Sequence, residues 1–81
     1  MKHWYAEQSP RGFGNEINTY RFKSKKERDL WVYDHENDGD VNSAARGARS
    51  ITEKEARSNV AYRGDNATKS YNSSYIDKEE A

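Results

Sequence analysis

From Asp34 onward an oxygen-bearing side chain recurs at every second residue: Asp34, Glu36, Asp38, Asp40 and Asn42, with Gly39 sixth and Val41 eighth in the run. This is the spacing of a calcium loop, in which alternate oxygens surround the ion and the sixth-position glycine makes the sharp turn. The twelfth position, where a bidentate Glu is needed, is Ala45, and the third is Glu36 in place of a shorter Asp or Asn. The expected structure is therefore a helix C-terminus followed by a solvated acidic turn, with no metal ligands assigned.

Catalytic chemistry has few candidates. His3 and His35 fall in different elements, and the absence of cysteine removes both a thiolate nucleophile and a thiolate metal site. No serine sits in a nucleophile-elbow context. The carboxylates are spread along polar helical faces, and so small a core leaves little room for a deep pocket. No catalytic residue and no cofactor are expected. Arg63-Gly64-Asp65 matches an adhesion tripeptide, and Asn66-Ala67-Thr68 and Asn72-Ser73-Ser74 match glycosylation sequons. All three are short enough to recur by chance, and a helix cap followed by a polar loop accounts for them.

Recognition chemistry is better supplied. Arg46, Arg49, Arg57 and Arg63 carry planar guanidinium forks suited to carboxylates and phosphates. Tyr20 and Tyr33 add amphipathic faces of the kind that dominate binding hot spots. These six residues are the expected partner-binding set. The simpler alternative for each arginine is an ion pair with Glu53, Glu55 or another surface acid.

Eighty-one residues make one small domain, with 32% apolar and 35% charged residues. Ten aromatic side chains, each able to bury ~150–250 Å², must supply much of the core. Fourteen basic residues balance fourteen acidic ones. Neutrality argues against a protein built mainly to coat DNA, which needs a basic excess. The charge is nevertheless segregated. Residues 21–28 hold five basic groups and one acid, 34–40 hold four acids with no Lys or Arg, and 41–64 hold five basic groups and two acids. Such a chain can match a charged partner locally. No apolar run has the length of a membrane span and no apolar signal region opens the chain, so the expected location is the cytosol.

The elements that must position these groups carry clear punctuation. A strand is expected over 2–8, stopped by Ser9-Pro10-Arg11-Gly12, and a second over 16–22, the two forming an antiparallel hairpin. Ser24-Lys25-Lys26-Glu27 is a capping box opening a helix over 25–36, anchored on the core by Leu30 and Trp31 and ended near Gly39. A short strand over 48–51 leads into a second capping box, Thr52-Glu53-Lys54-Glu55. The helix it opens runs over 53–62, with Ala56, Val60 and Tyr62 as its candidates for burial, and is capped by Gly64. A last strand is expected over 70–76 and a frayed end beyond it. The fold class is α+β: a small antiparallel sheet, made of the N-terminal hairpin plus one or two short strands, packed by two short helices. Residues 1–64 form the compact domain and 65–81 a C-terminal segment.

The Trp4-Tyr5-Ala6 strand, the run Phe22-x-Ser24-Lys25-x-Glu27-Arg28-Asp29-x-Trp31-Val32 and the run Ala48-Arg49-x-Ile51-Thr52-x-Lys54-Glu55-Ala56 together resemble, in layout, small accessory proteins of phages and prophages, the class that includes anti-CRISPR inhibitors. The resemblance covers most of residues 1–63 and carries over no functional residue. It implies a non-catalytic inhibitor, monomeric or homodimeric, in the cytoplasm of an infected bacterium. Such a protein binds a bacterial immune effector, a CRISPR nuclease or surveillance complex, and blocks DNA binding or cleavage. The alternative drawn from the basic segments is a small phage nucleic-acid-binding or regulatory protein.

Overall fold

The computed structural model describes residues 2–9, 16–39, 46–61, 70–71 and 74–78. In chain order the elements are β1 (Trp4–Ser9), β2 (Glu16–Phe22), α1 (Lys25–His35), β3 (Arg46–Ile51), α2 (Glu53–Ala61), β4 (Ser70–Tyr71) and β5 (Ile76–Lys78). This is the expected α+β fold.

β1 and β2 form the antiparallel hairpin, in register from Trp4 opposite Phe22 to Gln8 opposite Asn18. On its other side β1 pairs antiparallel with β3, from Tyr5 opposite Ile51 to Ser9 opposite Arg46, with a register shift between Glu7 and Ser9. β4 and β5 both join the outer edge of β2 in parallel, at its two ends. The sheet is therefore mixed, in the order β3-β1-β2-β4 with β5 beside β2. The strand expected over 70–76 is two short strands, and the expected C-terminal segment is part of the sheet.

β2 and β3 both run antiparallel to the strand between them, so α1 is a crossover joining two parallel strands across β1. α2 makes the return crossing from β3 to the β4–β5 edge. Two crossovers of one hand that traverse a sheet in opposite directions must lie on opposite faces. Successive strand residues point to opposite faces, and two separate cores follow. Ala6, Tyr20 and Phe22, with Trp4 and Ile76, pack under Trp31 and Val32 of α1. Tyr5 and Ile51, with Tyr75, pack under Ala56 of α2. β1 is consequently covered on both sides, and Tyr5, Ala6 and Glu7 are buried in succession.

Both helices begin where their boxes place them. Ser24 Oγ accepts from the Glu27 backbone NH at 3.1 Å. At α2 the box closes both ways: Thr52 Oγ1 accepts from the Glu55 NH at 3.1 Å, and Glu55 Oε1 accepts from the Thr52 NH at 3.2 Å. α1 stops at His35, ahead of Gly39, with Glu36 as its C-cap in a right-handed conformation and the Asp38 NH donating to the His35 carbonyl. Gly47 lets the start of β3 pass close beneath this end: a Cβ there would run into the Glu36 carbonyl oxygen. Val60 is half-buried, while the expected cap at Gly64, Tyr62 and the tripeptide at 63–65 lie outside the described residues.

Candidate partner-binding surface

The structure distributes the arginines across the fold. Arg46 opens β3, and its side chain lies outside what is described, as does Arg63. Arg49 points to the α2 face, where its Nε donates to Glu7 Oε2 at 2.9 Å. Its second nitrogen reaches Glu55 at 3.5 Å. The Glu7 side chain is only 11% exposed. Its other oxygen accepts from Asn59 Nδ2 at 2.9 Å, and the same amide nitrogen donates to the hydroxyl of the fully buried Thr19 at 3.1 Å. A buried carboxylate is costly unless it is paired, so Arg49 and Asn59 together account for Glu7. The bond to Glu7 in turn holds the Arg49 guanidinium above its ordinary pKa. Arg57 pairs along its own helix with Glu53 at 2.8 Å and is 70% exposed. Arg49 and Arg57 thus both turn to acids of the same molecule.

Two further arginines are taken up in the same way. Arg21 forks onto Asp77 at 2.5 and 3.0 Å and lies 4.8 Å over the Tyr75 ring, tying β5 to β2. Arg28 bonds Asp29 at 2.7 Å and donates to the Tyr5 carbonyl at 3.3 Å.

Of the two expected contact tyrosines, Tyr20 is a core residue. Its ring packs 4.4 Å from that of Trp31, and Lys78 covers it at 5.3 Å. Tyr33 lies on the outer face of α1 and is 73% exposed. Leu30, expected as a core anchor beside Trp31, corrects to the same outer face at 55% exposure. Adjacent helical residues stand 100° apart, so both cannot centre on the buried side. Trp31 takes it, stacked on Tyr20, Phe22 and His35, with Arg28 and Val32 beside it. The spacing of Arg28, Trp31, Val32 and His35 was the signal available in the sequence for choosing that face.

α1 therefore buries no residue completely, and it presents Leu30 and Tyr33 in a shallow depression bordered by Lys25, Lys26 and Asp29. The charges of this face also run against the helix. Lys25 and Lys26 sit in the first turn and Asp34 in the last. A helix macrodipole favours the reverse order by about 0.3–1 kcal/mol per charge. Among the described residues neither Lys26 nor Asp34 has an ion pair, whereas Lys25 and Arg28 do.

The acidic turn is used locally: Asp38 accepts from Gln8 at 3.3 Å and contacts His35 Nδ1 at 2.7 Å. The His35 bond holds the Asp38 carboxyl below its ordinary value. Asp40, Asn42 and Ala45 of the calcium-like run lie outside the described residues, and the described ones contain no group of three metal-ligating side chains. No described helix is long and apolar enough to cross a membrane. No family model, curated protein or solved structure matches the chain.

Proposed function

We propose that this chain is a non-catalytic protein-binding module that uses the outward face of α1 as its contact surface. The observation that carries the reading is the exposure of Leu30 and Tyr33 on a helix face where Lys26, in the first turn, and Asp34, in the last, have no ion pair among the described residues. Large apolar side chains flanked by open charges are what a desolvating protein contact uses. Arg49 and Arg57 are held by intramolecular carboxylates and act in this reading as scaffold.

The layout shared with small phage accessory proteins directs the choice of partner. The proposed partner is a bacterial immune effector, a CRISPR nuclease or surveillance complex, whose DNA binding or cleavage the chain blocks in the cytoplasm of an infected cell. The nucleic-acid reading is less well supported, because Arg21, Arg28, Arg49 and Arg57 are each paired with an acid. A phosphate-binding surface needs its cations free.

The test is co-purification with purified effectors followed by target-DNA cleavage. The double variant Leu30→Glu/Tyr33→Glu is expected to keep the wild-type melting temperature, lose the effector, and leave cleavage uninhibited. Retention of inhibition by that variant overturns the assignment of the face, and absence of any effector complex with wild type overturns the inhibitor reading.

A further inference from the structure

We infer that the outward face of α1 is self-complementary and joins two copies of this chain into an antiparallel dimer with Leu30 on the twofold axis. The inference rests on the reading of this face as the contact surface. Leu30 is the midpoint of α1, which runs Lys25–His35. Steps of four residues, about 6 Å of helix rise, carry the exposed stripe from Lys26 through Leu30 to Asp34. A twofold axis through Leu30 brings Lys26 of one copy level with Asp34 of the other, twice, and sets the two leucines against each other with Tyr33 alongside.

Three features favour a second copy as occupant. Lys26 and Asp34 have no ion pair among the described residues, while Lys25, Arg28 and Asp29 are taken up within their own helix. Their order is unfavourable for the helix that carries them. It becomes favourable for an antiparallel neighbour, because Lys26 then lies beside the negative end of the second helix and Asp34 beside its positive end. The stripe is also symmetric in position and opposite in charge about its centre, as an isologous contact requires. A helix of this length is only about 16 Å long. Its face falls short of the ~800 Å² per partner of stable complexes, so the dimer is weak and open to displacement by a larger partner.

Sedimentation equilibrium of the full chain from about 10 μM to 1 mM, the range of a weak contact, tests this. The expected average mass climbs from the 9.4 kDa monomer toward twice that value. Lys26→Asp and Asp34→Lys should each weaken association about tenfold, since each reversal turns two attractive pairs into two repulsive ones. The double variant Lys26→Asp/Asp34→Lys re-forms both pairs and should recover most of the lost association, stopping short of wild type because each charge then lies beside the like end of the neighbouring helix dipole. Both single reversals improve the match to the helix's own dipole, so loss of association with undiminished helical circular dichroism cannot be ascribed to unfolding. A monomer throughout the range, a dimer indifferent to the reversals, or failure of the double variant to recover overturns the inference. If wild type stays monomeric while Leu30→Glu/Tyr33→Glu loses an effector, the dimer alone is refuted. If the charge swap rescues the dimer but the Leu30/Tyr33 variant still inhibits, the functional assignment of the face alone is refuted.

Discussion

Replacing Arg49 by alanine tests the polar joint between β1, β3 and α2. Arg49 supplies one of the two side-chain donors that satisfy Glu7, an acid whose side chain is 11% exposed. A hydrogen bond to a charged group contributes about 1.5–3 kcal/mol. The guanidinium is itself 59% exposed, so water replaces part of what is lost, and a cost of about 1–2 kcal/mol is expected. In a domain this small each kcal/mol moves the midpoint by about 4–8 °C, so Arg49→Ala should melt about 4–16 °C below wild type. Arg49→Glu sets a second carboxylate against the buried one and should cost about 3–4 kcal/mol, within the range for an unpaired buried charge. Glu7→Gln keeps the shape and still offers Asn59 an acceptor, so a double-mutant cycle with Arg49→Ala isolates the pair at about 1 kcal/mol of coupling. Urea and thermal denaturation followed by far-UV circular dichroism measure both quantities. An Arg49→Ala midpoint within about 2 °C of wild type, together with zero coupling to Glu7, would show that the pair is solvated and the reasoning wrong.

Trp31→Ala removes the residue that stacks on Tyr20, Phe22 and His35; for a half-buried Trp it should cost about 3 kcal/mol, read as loss of midpoint and of near-ultraviolet signal. Gly47→Ala should destabilise by about 1–3 kcal/mol, because its methyl meets the Glu36 backbone and not a yielding side chain; urea denaturation checks it. Acid should weaken the fold. The Asp77, Asp38 and Glu55 carboxyls are held below their ordinary values of 3.8, 3.8 and 4.5, chiefly by bonds from Arg21, from His35 and from the Thr52 backbone. Depressed carboxyls contribute stability that is complete above the unfolded-state pKa and lost as pH falls through the folded-state pKa. The midpoint should therefore hold above about pH 5 and drop below about pH 4. Asp77→Asn should flatten part of that slope.

The local punctuation was legible in advance. Both helix starts and the extent of β2 follow from groups within a few residues of one another: Ser24 with Glu27, Thr52 with Glu55, and the extended run from Ile17 to Phe22. What was not legible depended on partners distant in sequence. Leu30 looked like a core residue until the indole of Trp31 claimed the sheet-facing side. Glu7 carries no local sign of burial, but a helix lies over each face of β1, and Arg49 and Asn59 arrive from 42 and 52 residues away to satisfy it. The arginines read as a recognition set because composition says nothing about which acids they meet. Tyr33 alone of the described candidates is both outside the core and uncommitted to an acid, and no local pattern separated it from Tyr20. The parallel placement of β4 and β5 follows from the length and direction of the α2 crossover, which no short motif encodes.

The pairing of β4 and β5 with β2 also bears on how the molecule avoids association through its sheet. β2 is the longest strand among the described residues, and without these two segments its outer row of amides and carbonyls would stand open as a template for another chain. Five short-strand residues, at Ser70–Tyr71 and Ile76–Lys78, stand guard over it, clamped by the Arg21–Asp77 pair. A chain cut before Ser70 would keep both capping boxes and the hairpin yet expose that edge. Its characteristic fault would be sheet-to-sheet aggregation growing with concentration, a failure of containment more than of folding.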